Sequence, residues 1–118
     1  MIAIGSRARS QPPPPHIVFE ALANPDREPD GAWLLLLSDE QRPRVIDSEP
    51  PRVVVWSSLW SRRRDVQLRF DLAPDGQGTL LTWTLYVEEP VPDAALTGHL
   101  RYRVNQLVNA NLRYSFGQ

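Results

Sequence analysis

His99 and Arg103 lie four residues apart in a segment with helical spacing, so they share one side of the predicted helix. An imidazole and a guanidinium in this arrangement could supply an acid–base group and an anion clamp at the mouth of a cavity. The alternative, which the pattern favours, is a pair of solvated residues on the shoulder of an amphipathic helix. The sequence has no nucleophile elbow, phosphate-binding loop, dinucleotide fingerprint or metal-ligand spacing. The catalytic residues therefore stay unknown, and we expect no cofactor and no metal.

Four tryptophans are candidate ligand contacts, because each ring offers a large apolar surface and one N–H donor: Trp33, Trp56, Trp60 and Trp83. They could equally fill the core of a small protein, and we favour core packing for Trp83. Strand parity does not decide which face Trp56 and Trp60 occupy, because Val53 and Val55 compete for the same interior.

Asn111 interrupts an apolar stripe at spacings of three and four, which otherwise consists of Leu96, Leu100, Val104, Leu107 and Tyr114. A buried amide must find hydrogen-bond partners. Asn111 therefore either bonds to the backbone near the first helix or projects toward a ligand, and both alternatives stay open.

Composition excludes several classes of function. The 118 residues include no cysteine, which excludes disulfides, thiolate catalysis and cysteine-ligated zinc, and two histidines are too few for a histidine-rich metal site. A net charge of −1 gives no electrostatic case for nucleic acid or an anionic membrane, and the three arginines at 62–64 are better explained as a charged turn at a sheet edge. Without a signal-peptide pattern or a long apolar span, we expect one cytoplasmic domain, residues 1–118, with no membrane insertion.

The elements that must position these residues follow from periodicity and turn signals. Residues 2–9 suit a strand, and a proline run followed by helical spacing predicts a two-turn helix that ends before Asn24 and Pro25. The apolar run at 32–38 fits a buried strand or a short helix, and its length favours a strand paired with residues 44–48. Residues 52–60, 64–72 and 79–87 predict further strands, the last two joined by a glycine-bearing connection at 73–78. Five or six strands in meander order result.

The final element is a long amphipathic helix over residues 92–114, for which Asp93 and Thr97 are both possible N-caps. Such a helix would extend about 34 Å and cross the whole sheet. We expect its leucine-bearing side to face the sheet and a space to remain between the two.

Three segments carry a resemblance to a known superfamily. They are residues 12–25, PPPPHIVFEALANP; residues 44–60, RVIDSEPPRVVVWSSLW; and residues 71–83, DLAPDGQGTLLTW. With the order of elements, they resemble the helix-grip domain of the START-like superfamily, also called SRPBCC, which includes polyketide cyclases, the birch-pollen allergen family and the chaperone-activator family. The resemblance implies an α+β helix-grip fold, with a curved antiparallel sheet of five to seven strands wrapped on a long C-terminal helix and one short N-terminal helix. The superfamily's second short helix would fall at 27–37, where it is shortened or absent, so the cavity would be smaller or more open.

The resemblance also implies a function. We expect an apolar or aromatic small molecule to bind between the sheet and the C-terminal helix, with polyketide cyclase-like activity as an option. The candidate contacts are Trp33, Trp56, Trp60, Trp83, His99, Arg103 and Asn111. The alternative is a protein-interaction module like the chaperone-activator relatives, without a small-molecule ligand. In either case we expect a monomer or a homodimer.

Overall fold

The computed structural model describes residues 1–27 and 32–117. Their core is a five-stranded antiparallel sheet with the strand order β1-β5-β4-β3-β2. The elements are β1 (Ile2–Gln11), α1 (Pro15–Ala23), β2 (Val45–Glu49), β3 (Val53–Trp56), β4 (Gln67–Asp75), β5 (Gly78–Val87) and α2 (Ala94–Gln106), followed by a π-helical stretch (Leu107–Leu112) and a last α-helical turn (Arg113–Ser115). The helix grips the inner face of the sheet, as the predicted fold class requires. None of the described helices combines the length and the apolarity needed to cross a bilayer.

The β4–β5 hairpin is the centre of the sheet, and its alternating pattern predicts its inner face correctly. Leu81, Trp83, Leu85 and Val87 are all buried, whereas their neighbours on β5 are partly or fully exposed. The strands continue to Asp75 and resume at Gly78, so the turn is two residues rather than the expected connection at 73–78. Gly76 makes this possible, because its φ of 60° is readily adopted only by glycine.

β1 returns to pair with β5, so the meander order holds for β2 to β5 but not for the first strand. In this register Gly5 lies opposite Leu85, Arg7 opposite Trp83, and Arg9 opposite Leu81. Residues directly opposite one another in a sheet share a face. The edge strand therefore places two arginines on the inner face, where the neighbouring strand carries apolar side chains.

The expectation of a strand at residues 32–38, paired with 44–48, is wrong. β2 pairs with β3 instead, and residues 34–37 form no regular element. The segment buries Trp33 and Leu34 and satisfies backbone groups locally: Leu35 N donates to Trp33 O at 3.0 Å, and Glu40 N to Leu37 O at 3.0 Å. An apolar run shows that a segment is buried, but it does not show which strand it pairs with. In the described part of the expected second helix, residues 27 and 32–37, no helix forms; residues 28–31 lie outside the described residues.

The C-terminal helix, residues 94–115, begins at Asp93, whose Oδ1 accepts a hydrogen bond from Leu96 N at 2.8 Å. Its buried side consists of Leu100, Val104, Leu107, Val108 and Leu112, together with Arg103 and Asn109. The predicted stripe therefore fails at both ends, because Leu96 is 38% exposed and Tyr114 is 78% exposed. The wider turns of the π-helical stretch rotate the residues that follow, so that Val108 and Leu112 face the sheet in place of Asn111 and Tyr114.

Candidate functional site

All four predicted tryptophans are buried, at 6% exposure or less, and they belong to the hydrophobic core. Trp56 lies at the centre: its ring stacks on Trp33 at a centroid distance of 5.9 Å and meets Phe70 edge-on at 4.7 Å. Its Nε1 donates to Leu22 O at 2.7 Å, so Trp56 ties β3 to α1 and has no free donor. The indole N–H of Trp33, in contrast, has no hydrogen-bond partner among the described residues.

Trp33 also borders a surface groove, which we call the Trp33 groove. Two adjoining clefts of about 450 Å³ and 300 Å³ form it, and both include Ala32, Trp33 and Ser115. The remaining lining residues come from α1, from the loop after Trp33 and from the end of the C-terminal helix: Ile17, Glu20, Ala21, Leu35, Asn111, Tyr114 and Phe116. Of these, Ile17, Leu35 and Tyr114 are large apolar or aromatic side chains at least 43% exposed. The groove thus combines an apolar wall with the amide of Asn111.

Arg103 is not the solvated shoulder residue that the pattern favours, because it is only 4% exposed. It forms a two-pronged ion pair with Glu40: Arg103 Nε donates to Glu40 Oε2 at 2.7 Å and Nη2 to Oε1 at 2.6 Å. Nη2 also donates to Leu35 O at 3.1 Å, and Nη1 donates to Gln106 Oε1 at 2.8 Å. All of these bonds are made within the protein, and through them the guanidinium joins the loop at 35–40 to the middle of the helix.

The charge state of Glu40 follows from this pairing. Burial by itself raises the pKa of the Glu40 carboxyl, but the hydrogen bonds from Arg103 and from Leu37 N, together with the charge of Arg103, outweigh it and leave the pKa below its ordinary value. The same carboxylate raises the pKa of Arg103. Both groups are charged at neutral pH, and the pair is a structural clamp.

His99 is exposed, so the structure does not hold it and Arg103 together as an acid–base pair. Asn111 is half-buried and lines the Trp33 groove, while the buried amide of the helix is Asn109, at 3% exposure. Asn109 Nδ2 donates to Asn105 Oδ1 at 2.6 Å, and its backbone oxygen accepts from Arg9 Nη1 at 3.2 Å. The expectation that Asn111 is the buried amide is wrong; its role as a ligand contact stays a prediction.

Of the seven candidate residues, the structure brings Trp33 and Asn111 to one groove and places Trp83 at the rim of another cleft near the start of the helix. Trp56 and Trp60 lie in the core. Sequence reasoning missed Ile17, Phe116 and Glu40. Ile17 carries a signal, since it is an apolar residue one position away from the buried stripe of α1, whereas Glu40 lies in a turn-like segment with no local signal.

No protein-family model matches the chain, and no curated protein matches it significantly. Several solved structures are similar. CalU16 from Micromonospora echinospora superimposes with a TM-score of 0.66 at 17% identity, over 90% of this chain and 70% of that one. The Aha1 dimer from Colwellia psychrerythraea gives 0.68 at 15% identity, over 96% and 94%. DynU16, a protein of the dynemicin biosynthetic locus, gives 0.67 at 20% identity, over 92% of this chain and 45% of that one.

At these identities the similarity establishes the fold and leaves the function open. The superpositions cover 90% and 96% of this chain, so they include the sheet and the helices described above. The chain has a helix-grip fold, so the fold class expected from the sequence is confirmed.

Proposed function

We propose that this protein binds a neutral apolar or aromatic small molecule in the Trp33 groove. The observation that carries the proposal is the groove itself, an exposed apolar surface beside the ring of Trp33 and the amide of Asn111. This location lies at the C-terminal end of the long helix, beside α1. The inner side of the helix is buried against the sheet: its leucines and valines between residues 100 and 112 are at most 1% exposed.

The size and chemistry of the groove support a small ligand. Ligand sites in proteins are concave, mostly apolar, a few hundred Å³ in volume, and carry a small number of polar groups that orient the ligand. Both adjoining clefts meet the size criterion. Asn111 offers an amide at the groove, whereas the Ser115 hydroxyl already donates to Leu112 O at 2.5 Å. A ring that bears one acceptor, such as a phenol or a ketone, fits this arrangement.

The fold supports the proposal at a coarser level. Neighbours of this fold include a protein of a natural-product biosynthetic locus, and the superfamily named from the sequence includes ligand binders. A polyketide cyclase-like activity stays a prediction.

A titration with 2-naphthol tests the proposal. This probe is neutral and aromatic and carries one hydroxyl, and ¹H–¹⁵N spectra resolve the indole N–H of each tryptophan. We expect 2-naphthol to shift the Trp33 indole signal, identified as the one lost in Trp33→Phe. Trp33→Phe keeps an aromatic side chain but removes part of the ring surface and the N–H, so it should bind 2-naphthol more weakly.

Two matched pairs of variants locate the binding. Tyr114→Ala removes a wall of the groove and should weaken binding, while Tyr102→Ala, an exposed tyrosine of the same helix outside the groove, should not. Ala32→Leu fills the groove from an exposed position and should abolish binding, while Ala95→Leu, also exposed, should leave it unchanged. Binding that is equal in all four variants would remove the groove from the proposal.

The competing hypothesis is a protein-interaction module, and the Aha1 neighbour was determined as a dimer. This hypothesis predicts no response of the Trp33 indole signal to 2-naphthol, together with recovery of a bound protein partner. A Trp33 signal that responds to the probe supports small-molecule binding.

A further inference from the structure

The edge of the sheet beneath the C-terminal helix carries four arginines: Arg7 and Arg9 on the inner face of β1, and Arg101 and Arg113 on the helix. None of them forms a salt bridge with an acidic residue in the described part of the chain. Arg9 donates to Asn109 O, and Arg113 donates to Ser10 O, so these two bind helix to strand. Arg7 and Arg101 make no such bond among the described residues and are free to bind a ligand.

Arg7 and Arg101 meet at a cleft of about 250 Å³ between β1 and the first half of the helix. We call it the arginine cleft; its other lining residues are Ser6, Trp83, Gly98, Tyr102 and Asn105. The lining is rich in donors, since two guanidiniums contribute to it. Trp83 is 2% exposed, and its Nε1 is buried without a hydrogen-bond partner in the described residues. A buried N–H donor without a partner lowers the stability of the fold unless an acceptor forms a hydrogen bond with it.

Gly5 sets the position of Arg101. A Cβ atom at Gly5 would lie 2.8 Å from Arg101 Cγ and 2.9 Å from Cδ and Nε. Real Cβ contacts are not this short, so the arginine stem lies across the strand only because residue 5 has no side chain. Gly5 is also where the β1–β5 register shifts. Because residue 5 has no side chain, Arg101 can lie close to Arg7, which is two residues beyond Gly5 on β1.

We propose that the arginine cleft binds the oxyanion group, a carboxylate or a phosphate, of a small ligand. Two like charges held at one cleft repel each other, and an oxyanion relieves this repulsion. Guanidinium groups match the planar geometry of a carboxylate and also pair with phosphate oxygens through short, charge-assisted hydrogen bonds. The volume suits a charged group with a single ring. This site is separate from the Trp33 groove and does not depend on the function proposed there.

Benzoate and phenyl phosphate are suitable probes, and benzamide is the neutral control with nearly the shape of benzoate. We expect at least one of the two anions to shift the indole N–H signal of Trp83, identified with Trp83→Phe, and the Nε–H signals of Arg7 and Arg101. Benzamide should shift them little. The anion that binds more tightly identifies the preferred oxyanion.

Arg7→Met and Arg101→Met should each weaken binding of the preferred anion about tenfold or more, the loss expected for one charge-assisted hydrogen bond. Arg62→Met removes an exposed arginine of a distant turn and should leave the affinity unchanged. Gly5→Ala should also weaken binding, although it removes no charge, because it displaces the Arg101 stem. Tyr114→Ala in the Trp33 groove should have no effect, so the two sites are tested independently.

The proposal is overturned if benzamide shifts the same signals as strongly as the anions. It is also overturned if neither anion binds, or if both arginine variants bind within about twofold of the parent affinity.

Discussion

Replacing Arg103 with methionine tests the most consequential contact that the structure reveals. The side chain of Glu40 is fully buried and that of Arg103 is 5% exposed, and two hydrogen bonds of 2.6 and 2.7 Å join them. Methionine keeps most of the length and apolar contact of the arginine stem. The substitution therefore leaves a buried carboxylate with the bond from Leu37 N at 2.9 Å and the neighbouring Trp60 side chain as its remaining polar contacts.

Removing one partner of a buried ion pair costs about 3–5 kcal/mol, because the other charge stays buried without compensation. Leu35 O and Gln106 Oε1 also lose their donor from Arg103. We therefore expect Arg103→Met to lower the free energy of unfolding by about 3–4 kcal/mol. For a chain of 118 residues the unfolding entropy is about 0.25 kcal/mol/K, so the Tm should fall by about 12–16 °C.

Urea and thermal unfolding, followed by circular dichroism, measure these changes. The double variant Glu40→Leu with Arg103→Met removes both charges, so it should be more stable than Arg103→Met alone. Arg62→Met, the same chemical change at an exposed position, should stay within about 0.5 kcal/mol of the parent. A loss below about 1 kcal/mol in Arg103→Met, or a double variant that costs the full sum of the single ones, would refute the reasoning.

The same pair gives a dependence on pH whose sign follows from the pKa of Glu40. Burial raises this pKa, but the bonds from Arg103 and Leu37 lower it below its ordinary value of 4.5. A carboxyl with a lowered folded pKa contributes stability above its unfolded pKa and loses it as pH falls through the folded pKa. Without Arg103, burial raises the pKa, so the variant gains stability on protonation. The gap in the free energy of unfolding between the parent and Arg103→Met should therefore begin to narrow above pH 4.5, where the variant's carboxyl takes up its proton, and continue to narrow below it; a constant gap would contradict this assignment.

Three smaller predictions use the same unfolding assays. The ion pair with Arg63, with a further bond from Glu88 N, lowers the pKa of Asp65 from 3.8 to about 2. Asp65→Asn should therefore lower the free energy of unfolding by about 2 kcal/mol at neutral pH and by progressively less as pH falls from 3.8 toward 2. An equal loss at neutral pH and at pH 2 would contradict this prediction. Gly98→Ala should stabilise the helix by up to about 1 kcal/mol, because the added Cβ meets nothing within 4 Å, and a fall in Tm would show that the glycine is needed there. Gln11 is 1% exposed and neither amide atom has a described partner, so Gln11→Met should be neutral or stabilising by about 1 kcal/mol; a loss of that size would reveal a hidden partner.

The parts of the fold that sequence predicted well are those with strong periodicity. The alternation in β4 and β5 fixes which side chains face inward, and the proline run with Asn24 and Pro25 correctly bounds α1 at residues 15–23. Asp93 is the helix N-cap, as its type and position indicate. The prediction of a strand at 32–38 was wrong because the apolar residues of this segment are buried by packing without forming a strand, and no local pattern distinguishes the two cases.

The candidate site was harder to predict, because its walls come from parts of the chain that are far apart in sequence. Ile17, Trp33 and Phe116 meet at one groove only after the fold forms. Glu40 and Arg103 are 63 residues apart, and each looks like a solvated residue within its own segment. Trp33 was a candidate contact from its residue type alone and lies at the groove, while its role as a ligand contact stays a prediction. Whether Trp83 borders a ligand or only the core depends on the position of the helix above it.

The π-helical stretch links the error at Asn111 to the proposed site. In a continuous α-helix, Asn111 would follow Val104 and Leu107 on the side that faces the sheet, and its amide would be buried. The wider turns at Leu107–Leu112 bring Leu112 to that side and leave Asn111 half-buried at the groove. Backbone irregularities of this kind often occur at functional sites. The same irregularity thus removes the Asn111 amide from the core and places it at the Trp33 groove, where a ligand could form a hydrogen bond with it. The π-helical stretch that interrupts helical periodicity therefore also forms one wall of the groove.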